Sequence, residues 1–198
     1  HPITETTMTP ITSIQDLKTL YEQRVPRMFF DYTESGSWTE QTFRENEQKL
    51  QALTFKQRVL VDISRRELGS SMLGQPVSMP VALSPVGLTG FQCGDGEIKA
   101  ARAAAQFGVP YTLSTMSICS IEDVASATDQ PFWFQLYVMK DRGFVKALIE
   151  RAKAARCSAL VLTADLQILG QRHKDIKNGL STPPTVSYTH LRAHETLL

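Results

Sequence analysis

From residue 79 onward, short apolar runs recur, and each turns polar at its C-terminal end. Val81-Ala82-Leu83 leads into Ser84-Pro85, and Tyr111-Thr112-Leu113 leads into Ser114-Thr115. Phe132-Trp133-Phe134 leads into Gln135-Leu136-Tyr137, and Ala159-Leu160-Val161-Leu162 ends in Thr163-Ala164-Asp165. A short apolar run bounded by polar residues suits a strand buried on both faces of a parallel sheet. Helical patterns lie between the runs. The first is Ala-rich, from about Asp95 to Phe107, and stops at Gly108. The second starts at Ser120 as N-cap, with Glu122 and Asp123 in its first turn, and reaches about Ala127. The third runs from Arg142 to Arg156 behind the cap Asp141, with Phe144, Val145, Leu148, Ile149 and Ala152 on one face. Strands alternating with helices imply right-handed crossovers and a parallel sheet. The predicted fold is α/β: the N-terminal half of a (β/α)₈ TIM barrel, about four parallel strands, with its chemistry at their C-terminal ends.

Residues 1–78 read as a helical extension and cover. Ser13 and Asp16 form a capping pair for a helix from Ile14 to about Arg24. Pro26 opens a short helix through Phe29, Phe30 and Tyr32, and Gly36 ends it. Thr39 is the expected cap of a third helix, to about Ala52. Residues 55–74 read as an irregular or short-stranded cover. The barrel part spans 79–185. The remainder, 186–198, has no place in the pattern. Its Val186-Ser187-Tyr188-Thr189-His190 resembles the translation of a transposase-type sequencing-library adapter, so it is expected to be a non-native tail.

Length and charge narrow the picture further. A complete barrel needs roughly 250 residues, and four strand–helix units with the extension use up these 198. The formal net charge is +1, from 21 basic and 20 acidic residues, which argues against nucleic acid or an anionic membrane as main partner. No apolar run reaches the roughly 20 residues of a membrane span, and the start does not resemble a signal peptide. Cys93, Cys119 and Cys157 are few and scattered, as expected of free thiols in a reducing compartment. No Cys/His cluster has metal-ligand spacing.

The strand ends offer Ser84, Ser114, Gln135, Tyr137, Thr163 and Asp165, and the loop beyond offers Arg172 and His173. Hydroxyls, an amide and a phenol can read the polar edge of a planar ring, and an arginine can grip a carboxylate through two N–H groups. Singly, each has an ordinary explanation. Ser114 and Thr163 suit strand-end hydrogen bonds, Asp165 a brace at the barrel mouth, and Arg172 and His173 solvated charges. Met116 suits packing beside whatever fills the site. Gln135 and Tyr137 alternate along one strand and share a face, and a buried glutamine there needs a partner. Convergence on one barrel face is what favours a ligand.

In combination, Pro26-Arg27-Met28-Phe29-Phe30-Asp31-Tyr32 with Ser35-Gly36, Ser84-Pro85, Leu113-Ser114-Thr115, Phe134-Gln135-Leu136-Tyr137, Leu162-Thr163-Ala164-Asp165, Arg172 and Asp175-Ile176-Lys177-Asn178 resemble the FMN-dependent α-hydroxy-acid dehydrogenases and oxidases. That family includes cytochrome-type L-lactate dehydrogenase, glycolate oxidase and mandelate dehydrogenase. The resemblance covers nearly everything up to Pro184. It implies FMN as cofactor, with the backbone of Pro85, Val86 and Gly87 against the flavin and Ser114, Gln135 and Thr163 hydrogen-bonded to its ring. It implies Tyr32 and Arg172 on the substrate carboxylate, Tyr137 as an active-site tyrosine beside the substrate, and Asp165 as structural support. The implied reaction oxidises a small, lactate-like L-2-hydroxy acid to the 2-oxo acid, with a quinone, a cytochrome or oxygen as electron acceptor.

The resemblance also implies a homo-oligomeric parent, cytoplasmic or held peripherally at the inner membrane. Met116 departs from the family, standing where glycolate oxidase has a tryptophan. The family's second half, with its histidine base, its lysine near flavin N1, a second arginine and the phosphate site, has no counterpart here. The 198-residue chain alone is therefore expected to be inactive and to retain little FMN on purification. Another FMN barrel enzyme, such as type 2 isopentenyl-diphosphate isomerase, and a non-catalytic α/β binding module are the alternatives.

Overall fold

The computed structural model describes residues 10–165 and 170–180. The tail 186–198 lies outside the described residues. Helix α1, Ile14–Arg24, starts at a capping box in which Ser13 Oγ accepts from the Asp16 N–H at 3.2 Å and Asp16 Oδ2 accepts from the Ser13 N–H at 2.9 Å. Helix α2, Arg27–Thr33, follows Pro26 and buries Phe29, which stacks on Phe91 at 5.4 Å between centroids. Helix α3, Gln41–Gln51, is not capped by Thr39: the N-cap is Glu40, in the left-handed region at φ 59°, with no side-chain cap bond. Glu40 Oε1 instead accepts from the Gly36 N–H at 3.3 Å, so the turn before the helix consumes the residue that would cap it.

The cover segment holds one regular piece, an antiparallel hairpin of β1, Ser70–Met72, and β2, Gln75–Val77. Its two-residue turn, Leu73-Gly74, has positive φ at both positions, as a turn that follows the twist of the strands requires.

The parallel sheet is β3, Thr112–Leu113, then β4, Trp133–Leu136, then β5, Ala159–Leu162, paired in that order. The first expected strand, Val81–Pro85, shrinks to a single parallel bridge between Leu83 and Tyr111. The Leu83 N–H donates to Pro110 O at 2.8 Å and Leu83 O accepts from the Thr112 N–H at 3.0 Å. Pro80 and Pro85 on either side have no N–H to extend the ladder. Four successive parallel positions therefore remain, and the molecule is a partial barrel.

Helices α5, Gly96–Phe107, α6, Ile121–Ala127, and α7, Arg142–Ala154, cover one face of the sheet. Leu113, Phe134 and Leu136 meet Ala101, Ala104, Val124, Val145 and Leu148 there in one apolar cluster. The small face of α5 permits its close approach. A short helix α4, Thr89–Gln92, which the glycine-containing sequence hid, precedes α5. Strand β5 corrects a second expectation. It is not buried on both faces: Leu160 and Leu162 are 48% and 59% exposed. They lie in register with Phe134 and Leu136, on the helix-covered face, but on the edge strand of the described sheet. Helix α8, His173–Lys177, packs instead against α2.

Candidate functional site

Gln135 sits near the C-terminal end of β4, in register with Val161 of β5, and is 1% exposed. An amide so buried has to be satisfied from within the protein. Its Oε1 accepts from the Thr115 N–H at 3.1 Å and from Ser114 Oγ at 3.3 Å, while Nε2 donates to Thr163 Oγ1 at 2.7 Å. Ser114, Gln135 and Thr163, taken from three successive strand ends, are thus one connected row. Ser114 Oγ also accepts from the Met116 N–H at 3.1 Å. The second N–H of the Gln135 amide has no hydrogen-bond partner among the described residues.

The loop after the first strand position lies against this row. The Leu88 N–H donates to Met116 O at 2.9 Å. A methyl group added to Gly87 would stand 3.3 Å from Met116 Cβ and 4.0 Å from Ser114 Oγ, so the backbone at 85–87 approaches Ser114 with little room for a side chain. Val86 points outward, 50% exposed.

A second cluster forms around Tyr32. The Arg172 guanidinium carbon lies 4.7 Å from the centroid of the Tyr32 ring, a cation–π distance. Arg172 Nη2 donates to Tyr32 O, and to Ser35 O and Ser35 Oγ at 3.2 Å each. Arg172 Nε stands 2.6 Å from Asp175 Oδ2, a charge contact rather than an aligned hydrogen bond. Burial pushes the Asp175 carboxyl up, against the pull of that guanidinium. The segment is docked further by Asn178 Nδ2 donating to Asp31 Oδ2 at 2.8 Å and by the Trp38 N–H donating to Gln171 O at 2.8 Å. Arg172 is therefore not a solvated loop charge. Its Nη2 and Nε edges are already engaged, so a two-point grip on a ligand would have to share one of them.

Tyr137 joins the two clusters. Its N–H donates to Thr115 Oγ1 at 3.1 Å, and that hydroxyl bonds to Gln135 O at 2.5 Å. Burial first, then the nearby Tyr32 and Asp165, push the Tyr137 phenol up. Tyr32, Tyr137 and Asp165 thus share an electrostatic neighbourhood, with Asp165 itself exposed. His173 lies aside, edge-on to Trp38 at 6.2 Å. Sequence reasoning gave Thr115, Ser35 and Asp175 no role. Thr115 and Ser35 act through hydrogen bonds that spacing does not reveal. Asp175 stands three residues after Arg172 on a helical turn, a visible signal for a pair.

Among the described residues no group of three or more His, Cys, Asp or Glu side chains is arranged for a metal ion. The arrangement offers a connected row of amide and hydroxyl groups beside a cationic and phenolic corner. Such a pair suits a planar heterocycle next to an organic acid.

The sequence matches the family model described as FMN-dependent dehydrogenase over residues 21–196. It is 47% identical over 173 residues to an L-lactate dehydrogenase of Ectopseudomonas mendocina, covering 87% of this chain and 46% of that one. An L-lactate dehydrogenase of Chromohalobacter salexigens is 46% identical over 171 residues, covering 86% and 44%. The fold is similar to a soluble mutant of the membrane-associated (S)-mandelate dehydrogenase from Pseudomonas putida, with a TM-score of 0.83 at 37% identity over 91% of this chain and 51% of that one. It is also similar to a mandelate oxidase, with a TM-score of 0.81 at 31% identity over 93% and 55%. The chain spans about half the length of the curated relatives it matches.

Proposed function

The chain belongs to the FMN-dependent dehydrogenase family, and from that premise we propose that it supplies the ring-binding and carboxylate-binding face of an enzyme that oxidises a small L-2-hydroxy acid to the 2-oxo acid. The observation that carries this reading is the buried Gln135, tied to Ser114 and Thr163, with one amide N–H unpartnered among the described residues. That N–H fits an acceptor on the edge of an isoalloxazine ring, and the tight backbone at Gly87 fits the flat face of the same ring. The residues present therefore fit the flavin ring. When bound, FMN would supply the two-electron acceptor for oxidation of the hydroxy acid.

The chain's own groups bind and orient. Arg172 and the Tyr32 hydroxyl meet the carboxylate, and Arg172 holds its position through Asp175 and Ser35. Tyr137, its phenol pushed up and so protonated at neutral pH, donates a hydrogen bond toward the substrate. Asp165 lends negative charge to that corner. No described residue is assigned the base that removes the substrate's proton. The electron acceptor is a quinone, a cytochrome or oxygen. Location in the cytoplasm, or peripherally at the inner membrane, belongs to the same proposal. Among the described residues no helix is long and apolar enough to cross a membrane.

Titration of the chain against flavin, followed by flavin fluorescence, tests the reading. The described contacts address the ring, so FMN and riboflavin should quench alike, and Gln135→Ala should weaken both. Failure of both flavins to bind would remove the cofactor half of the proposal. Indifference of binding to Gln135→Ala would remove the assigned ring contact.

A further inference from the structure

Glu97, on the first turn of α5, is fully buried, at 0% exposure. A carboxylate in that position is costly unless donors surround it. Its Oε1 accepts from the Gly90 N–H at 3.0 Å and from the Ile118 N–H at 3.0 Å. The first amide belongs to α4, at the end of the loop after the first strand position, and the second to the loop after β3. The Cys119 thiol lies beside the same carboxylate, and Oε2 carries no aligned donor among the described residues. The loops close on each other at this point. A methyl group on Gly90 would fall 2.6 Å from Ile118 Cβ, inside any possible contact distance.

The two segments that this acid joins are those that carry Gly87 and Ser114. From Glu97 the connection runs through Gly90 and Ile118 to the Leu88–Met116 bond, then through the Met116 N–H to Ser114 Oγ and on to Gln135. We propose that Glu97 is a positioning residue for the flavin ring: its single oxygen clamps two backbone amides and so sets the gap between the 85–87 backbone and Ser114. The proposal rests on the flavin reading above for its purpose. The clamp itself rests on the two hydrogen bonds.

Hydrogen exchange by mass spectrometry on the whole 198-residue chain tests it, alongside fluorescence titration with FMN as probe. Glu97→Ala removes both acceptor bonds. Segments 85–92 and 114–119 should then exchange at least about tenfold faster, while β4 and α7 exchange as in the parent chain. FMN quenching should weaken by a similar factor. Glu97→Gln keeps an acceptor oxygen and should restore both readouts to within about threefold. Unchanged exchange in the two loops of Glu97→Ala would overturn the clamp. Equal acceleration across β4 and α7 would overturn it too, because the acid would then serve the whole fold. If the parent chain leaves FMN fluorescence untouched while the loops respond as expected, the cofactor reading fails and the clamp stands.

Discussion

Arg172 stands over the ring of Tyr32 at 4.7 Å, although 140 residues separate them along the chain. The contact fastens the segment after β5 to the helix before the barrel. It is built from a stack, three hydrogen bonds through Nη2, and a charge contact to Asp175. A lysine keeps the charge and loses the planar fork that makes the rest possible. Arg172→Lys is therefore expected to release residues 170–180 from α2. Amide exchange at Ile176 and Gly179, whose hydrogen bonds lie within that segment, should rise by about tenfold or more. Exchange at β4 serves as the control, and parity at Ile176 would show that charge alone docks the segment.

Gln135 should be intolerant of an apolar replacement of similar size. Gln135→Leu strands the Thr115 N–H and removes the donor to Thr163 Oγ1, both at the strand ends. A buried donor left unsatisfied costs about 1–3 kcal/mol. The urea midpoint of unfolding should fall accordingly, with the slope unchanged. A midpoint equal to that of the parent chain would mean that water replaces the lost partner.

The Glu122–Arg151 pair gives a pH signature. Arg151 bonds to both carboxylate oxygens, at 2.8 and 2.6 Å, and holds Glu122 down to about 2 from an ordinary 4.5. The folded value lies below the unfolded one. The contribution is therefore complete above pH 4.5 and is lost as pH falls from there toward 2. Both side chains are about half exposed, so the pair is worth less than about 1 kcal/mol. The stability gap between the parent chain and Arg151→Ala should shrink steadily from pH 5 to pH 3 in denaturant titrations. A constant gap across that range would assign it to lost packing of the arginine stem.

The three thiols should differ in reactivity. Burial pushes Cys157 up to about 11, and burial with the adjacent Glu97 does the same for Cys119. Cys93 is exposed. At pH 8 iodoacetamide should modify Cys93 well before the others, because little thiolate is present at Cys119 or Cys157. Peptide mapping over time reads the order. Early labelling at Cys119 would place it outside the loop junction described above.

Much of the fold can be read along the chain because its signals are local. Ser13, Ser120 and Asp141 are short polar side chains placed just ahead of amphipathic runs, and each caps the helix expected of it. The apolar runs around Leu113, Phe134 and Val161 locate the sheet, and the polar residues at their ends mark where chemistry would gather. Thr39 misled because capping depends on which turn precedes the helix, and Glu40 is drawn into a contact with Gly36. Val81–Pro85 reads as a full strand because hydropathy does not register which N–H groups two prolines withhold.

What the sequence could not decide is set by distance in space. Two amides from separate strand-to-helix connections find Glu97, and Arg172 finds Tyr32, because the strands are parallel and every crossover returns the chain to the same end of the sheet. Charge and hydrogen bonding act over a few ångströms, whereas the pattern of residues registers only neighbours along the chain. The order of residues therefore determined the elements and the list of polar strand ends. The packing of helices on the sheet decided which of those ends touch.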